Sequence, residues 1–138
     1  MVRLKQRIQA ELENIDEIFK EMPLHLSLPR LSMLELAGVA ALLHNFYNGI
    51  ENILKQIFVS QKISVPEGQS WHKDLLEKAV KEEIISEECK SHLGQYLAFR
   101  HFFSHAYALD LYPEKMEPLV ENSQKLYSIF KNDINKFL

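Results

Sequence analysis

The chain has 138 residues, 46% of them hydrophobic and 25% charged, with a formal net charge of −3. Those are ordinary globular values, and the length suits one domain, residues 1–138, with a sizeable core. The acidic balance argues against a broad basic nucleic-acid surface, and no apolar run is long enough to span a bilayer.

The single cysteine, Cys89, has no intrachain partner for a disulfide and reads as an inert thiol in a helix. No basic-then-apolar leader opens the sequence, so a cytoplasmic location is expected.

Apolar positions Leu4, Ile8, Leu12, Ile15, Ile18, Phe19 and Met22 recur at helical spacing and predict an amphipathic first helix that stops before Pro23. A short linker follows, closed by Pro29. The second segment, from about 31 to 60, is the most apolar. Leu34, Ala37, Ala40, Leu43, Tyr47, Ile50, Leu54, Ile57 and Phe58 form a stripe so wide that it implies contact on more than one side. His44, Asn45, Asn48 and Glu51 are polar residues near that stripe. They read first as buried hydrogen-bonding groups, with contact from Asn48 and Glu51 to a later helix as the alternative.

Pro66, Gly68 and Ser70 mark a loop. A short helix then begins near Trp71 and runs to about Glu83, with Trp71 against the core and His72 on the surface. Ser86 signals a fresh helix start. The segment Leu109–Pro113 looks like an exit turn, and a last helix from about Glu114 carries Met116, Leu119, Val120, Leu126, Tyr127, Phe130, Ile134 and Phe137 at helical spacing. No internal repeat, glycine-rich phosphate loop or alternating strand pattern is present.

Between those last two helix signals lies Phe99-Arg100-His101-Phe102-Phe103-Ser104-His105-Ala106-Tyr107. Leu93, Tyr96, Leu97, Phe103 and Ala106 give it a helical apolar face. With about 100° per residue, His101 and His105 stand one above the other, while Arg100 and His105 are about 140° apart around the axis. Arg100 and Tyr107 share another stripe, about 10 Å apart along the axis. A two-fold copy of the helix packed alongside would bring arginine and histidine together more easily than one copy can.

Histidine can take and return a proton near neutral pH, and the arginine fork matches phosphate oxygens. Together they suit metal-free cleavage of RNA, in which the neighbouring 2′-hydroxyl attacks the phosphate. The plainer alternative is a hydrogen-bonded core histidine beside a snorkelling arginine. A metal pair from His101 and His105 is a further alternative. No adjacent glutamate or cysteine pair completes such a site, and His92 is poorly placed as a third ligand. The reading is therefore no metal and no cofactor.

Arg100, His101, three residues and then His105 resembles the mark of the HEPN superfamily: arginine, a polar residue, three residues, histidine. The added Ala106-Tyr107 is similar to the HepT-like toxin branch. Tyr47-Asn48-Gly49-Ile50-Glu51 and Ser70-Trp71-His72-Lys73-Asp74-Leu75-Leu76 also resemble stretches of that family, so the similarity covers most of the chain. The resemblance implies an all-α, up-and-down bundle of four to five helices, dimerising or assembling further through the motif-bearing helix. It implies a ribonuclease toxin with His105 as general base, Arg100 as phosphate-holding cation and His101 as auxiliary polar group. It also implies a nucleotidyltransferase antitoxin that adenylylates Tyr107. The alternative is a HEPN binding module without nuclease turnover, working beside a nucleotidyltransferase.

Overall fold

The computed structural model describes residues 2–106 and 110–138. Among these residues it is all-helical, with α1 (Val2–Glu21), α2 (Met33–Ser60), α3 (Trp71–Lys81), α4 (Glu87–His105) and α5 (Pro113–Asp133). The expected all-α helical bundle is therefore observed. Two short 3-10 turns, His25–Arg30 and Asn135–Phe137, complete it, and the first lies in what the sequence suggests is plain linker.

Local chemistry sets the helix ends. Ser32 accepts a hydrogen bond from the Glu35 amide while the Glu35 carboxylate accepts one from the Ser32 amide, a reciprocal cap that starts α2. Ser86 starts α4 by accepting from the Cys89 amide. Pro113 occupies the first turn of α5, where its missing N–H costs nothing.

Helix α2 is the centre of the bundle, packing against α1, α4 and α5. Its wide apolar stripe is buried from Ala40 onward, with Leu43, Phe46, Tyr47, Ile50, Ile53, Leu54, Ile57 and Phe58 all at most 1% exposed. The expected stripe residue Leu34, in the first turn of the helix, is instead 83% exposed, and Ala37 is half-buried. Gly49 permits the close approach of α1, because a Cβ placed there would meet the Ile15 side chain at 3.0 Å. Polar ties fix the remaining helices. The Tyr127 hydroxyl donates to Asp16 Oδ1 (2.9 Å), joining α5 to α1, and the Tyr96 hydroxyl donates to the Leu119 carbonyl (2.6 Å), joining α4 to α5. At the other end of α4, the Ser86 amide and hydroxyl both donate to Asp133 Oδ2, at 2.8 and 2.7 Å.

Among the described residues, no helix is long and apolar enough to cross a membrane. Cys89 is buried, and burial pushes its thiol up to about 12, with Asp133 adding to the effect.

Candidate functional site

Helix α4 presents two kinds of chemistry on two faces. His101 and His105 are exposed, with ring centroids 4.9 Å apart in an edge-to-face arrangement, as a four-residue spacing requires. The Ser104 hydroxyl turns back to the Arg100 carbonyl at 2.9 Å, a local bond that leaves the histidine face to the two rings. Arg100 lies elsewhere. It is half-buried, and its Nε donates to Asn48 Oδ1 on α2 at 3.0 Å. That bond engages one of five guanidinium N–H donors and fixes the plane of the fork.

The stripe Leu93, Tyr96, Leu97, Phe103 and Ala106 is buried at Leu93 and Tyr96 and half-buried beyond them. Phe103 packs 5.6 Å from the His44 ring and stacks with Phe99 at 6.0 Å. Tyr107 lies outside the described residues.

Behind Arg100 the bundle holds a polar layer drawn from α2 and α3. The Glu51 carboxylate, 2% exposed, accepts a hydrogen bond of 2.6 Å from His72 Nδ1. His72 is thus not the surface residue that its sequence context suggests. A histidine half-hidden under its own tryptophan can satisfy a carboxylate that would otherwise be buried alone. The Trp71 and His72 rings are 3.6 Å apart, and Lys55 of α2 sits 4.0 Å from the Trp71 ring centroid. Trp71 is half-buried against the core, as expected.

Of the two α2 residues with a possible reach to a later helix, Asn48 meets the motif helix and Glu51 meets α3. Tyr47 is buried next to Glu51, and among the described residues its hydroxyl meets no partner at full hydrogen-bond geometry. Burial first, then the Glu51 charge, raise its pKa above the ordinary phenol value. His44 Nδ1 is buried and likewise without a partner among the described residues, and burial, followed by the Arg100 charge, lowers the His44 pKa. In the sequence His44 reads as a polar neighbour of the apolar stripe and Tyr47 as a member of it. Their closeness to Arg100 depends on how α2 and α4 pack.

The three motif side chains therefore do not converge within one copy of the chain. The histidines face out, and the guanidinium faces Asn48. This matches the angular separation derived from helix geometry and leaves two solvent-facing imidazoles on the same helix as an anchored cation. Among the described residues, no three His, Cys, Asp or Glu side chains gather as a metal site.

A family model described as HepT-like protein matches residues 38–138, which run from the first turns of α2 through the motif to the last residue. Searches of curated proteins and of solved structures give no match. With that match spanning most of its length and the motif on its fourth helix, the chain belongs to the HepT-like family of the HEPN superfamily, a ribonuclease-related, toxin-like group.

Proposed function

We propose that the protein is a metal-independent endoribonuclease toxin whose cleavage site is completed by a second copy of the chain. His105 takes the proton of the RNA 2′-hydroxyl. The 2′-oxygen attacks the adjacent phosphorus, the bond to the 5′-oxygen breaks, and the products are a 2′,3′-cyclic phosphate and a 5′-hydroxyl. Arg100 balances the charge of the crowded phosphorane. His101, stacked edge-on beneath His105, hydrogen-bonds the phosphate or returns a proton to the leaving oxygen.

One observation carries the reading: two exposed imidazoles 4.9 Å apart stand on the same helix as a guanidinium oriented from behind by Asn48. Family membership supports the ribonuclease class. The acidic net charge of −3 fits local contact with RNA, through few groups, better than a broad electrostatic surface.

Silencing belongs to the same proposal. A nucleotidyltransferase antitoxin transfers AMP from ATP to the Tyr107 hydroxyl, releasing pyrophosphate. The added phosphodiester is anionic, so it competes for Arg100 and repels RNA. The toxin acts in the cytoplasm, where both RNA and ATP are found.

The test is His105→Ala, assayed on labelled RNA in EDTA. General-base loss costs on the order of 10²–10⁴ in rate, so cleavage and growth arrest disappear while the helical CD spectrum is kept. Full activity in that variant refutes the mechanism. Mass spectrometry of Tyr107 after incubation with ATP and the proposed nucleotidyltransferase partner reads the silencing step, and an unmodified tyrosine rejects it. The half-buried, Asn48-bound state of Arg100 favours one rival, a binding module without turnover. That module would leave the RNA intact in the same assay.

A further inference from the structure

Between the second half of α4 and the start of α5 lies a cavity of about 400 Å³ that the catalytic proposal does not use. Its size falls in the ~300–1,000 Å³ range of ordinary small-ligand sites. The α4 wall carries Gln95, Phe99 and Phe102, and the α5 side carries Tyr112, Lys115 and Leu119. Phe102 and Tyr112 are 41% and 47% exposed, so two aromatic residues offer ring surface to solvent at this cavity. The Phe99 and Phe102 ring centroids are 6.3 Å apart, and the Lys115 ammonium lies 5.8 Å from the Tyr112 ring centroid.

Position along α4 gives this cavity its meaning. His105 follows Phe102 by three residues, and His101 follows Ala98, another wall residue, by three. Residues so spaced are neighbours on a helix, about 60° apart around the axis and ~4.5 Å along it. The cavity wall is therefore the stripe next to the histidine face, on the side away from Arg100.

We infer that the cavity is a subsite for an unpaired nucleobase of RNA, adjoining the phosphate bound at the histidine face. The inference rests on the ribonuclease reading for its place beside a scissile bond. A base has a flat π surface for Phe102 and Tyr112 and polar edges for the Gln95 amide, which both donates and accepts. Lys115 can meet a neighbouring phosphate. An aliphatic ligand would use neither the amide nor the cation, and a small anion would leave the aromatic walls without a partner. Base–aromatic stacking also gives an acidic protein an affinity for single strands that its net charge does not supply.

The experiment uses single-stranded 2′-O-methyl RNA, which has no nucleophile, with 2-aminopurine placed at one position per oligonucleotide. Stacking quenches this base, so titration with the full chain reports which position enters an aromatic pocket. One strongly quenched position is expected. Phe102→Ala and Tyr112→Ala each weaken binding roughly five- to 150-fold and restore the fluorescence. Phe102→Leu, which keeps bulk without a ring, behaves like the alanine variant, and Phe102→Trp retains the quenching. Both residues are exposed enough for the helical CD spectrum to persist, which is checked first.

The inference is overturned if no position is quenched or if quenching survives in both alanine variants. It is also overturned if Phe102→Ala disperses an oligomer in sedimentation while RNA affinity stays unchanged, because the cavity mouth would then be a subunit contact. The wild-type chain with cleavable RNA separates this inference from the reading beneath it. Quenching without cleavage removes the nuclease and supports the base subsite. Cleavage without quenching removes the subsite alone.

Discussion

Replacing His72 by alanine strands a carboxylate inside the bundle. The Glu51 side chain is 3% exposed and the His72 side chain 18%, and they meet at 2.6 Å. Removing the hydrogen-bonding partner of a buried carboxylate costs about 3–5 kcal/mol, because the carboxylate is left uncompensated. The partial exposure of His72 lets water reach the vacated side, which places the expected loss near the lower limit, about 3 kcal/mol. Helix α3 packs chiefly on α4, and its polar ties to α2 are this pair and Lys55 over Trp71, so the damage falls on the α2–α3 junction. For a chain of this size, ~3 kcal/mol lowers the melting temperature by roughly 10–15 °C. Urea denaturation followed by CD measures the free energy directly. Adding Glu51→Gln to His72→Ala removes the stranded charge and recovers at least half of the loss. A single-variant cost below about 1 kcal/mol, or a double variant no more stable than His72→Ala, refutes the argument that an unpaired buried carboxylate sets the penalty.

Three other expectations follow from the same neighbourhood and from the core. Asn48→Ala frees the Arg100 fork and slows RNA cleavage about tenfold, the equivalent of ~1.4 kcal/mol, while Asn48→Asp keeps an acceptor and restores most of the rate; an alanine variant as fast as wild type removes the positioning role. Cys89, buried with its thiol pushed up to about 12, resists alkylation by iodoacetamide in the native protein and reacts on unfolding in urea, and fast native labelling contradicts its placement. His44 has a folded-state pKa below its ordinary 6.5, so the unfolded ring takes a proton that the folded ring refuses. Stability is therefore lost as the pH falls from about 6.5 through the folded value, and His44→Gln flattens that part of the urea midpoint against pH profile; an unchanged slope in the variant denies His44 its share.

How much of this was readable in advance depends on whether a contact is local. Ser86 announced the start of α4, Pro23 the end of α1, and the width of the α2 stripe its central position. All three signals act within a few residues. The His25–Arg30 turn was hidden because prolines at 23 and 29 read only as a break. The Glu51–His72 pair spans 21 residues and the Asn48–Arg100 bond 52, so neither leaves a periodic trace in the sequence. Asn48 and Glu51 look alike beside the apolar stripe, yet the two go to different helices. Only the rotation of α2 against α3 and α4 distinguishes them. The α4–α5 cavity was illegible for a related reason: Phe99 and Phe102 satisfy a helical pattern equally well whether another helix covers them or not.

The behaviour of α4 along its length bears on the proposed second copy of the chain. Up to Tyr96 its apolar face is covered: Cys89, Leu93 and Tyr96 are buried, and the Tyr96 hydroxyl is tied to α5. Beyond that point its aromatic residues are half-buried or exposed, with Phe99 and Phe103 partly covered and Phe102 open. Arg100 faces α2 in this same stretch, and the histidines lie about 100–140° away from it. Side-chain rotation alone does not close such an angle while Asn48 holds Nε. A neighbouring α4 related by a two-fold axis would set its own His101 and His105 against the Arg100 side of the first, and would bury the part of the Phe103 ring that one copy leaves wet while Phe102 stays open at the cavity. The apolar gain and the composite site would then have one origin, so mutations that weaken association should also lower cleavage by the proposed nuclease.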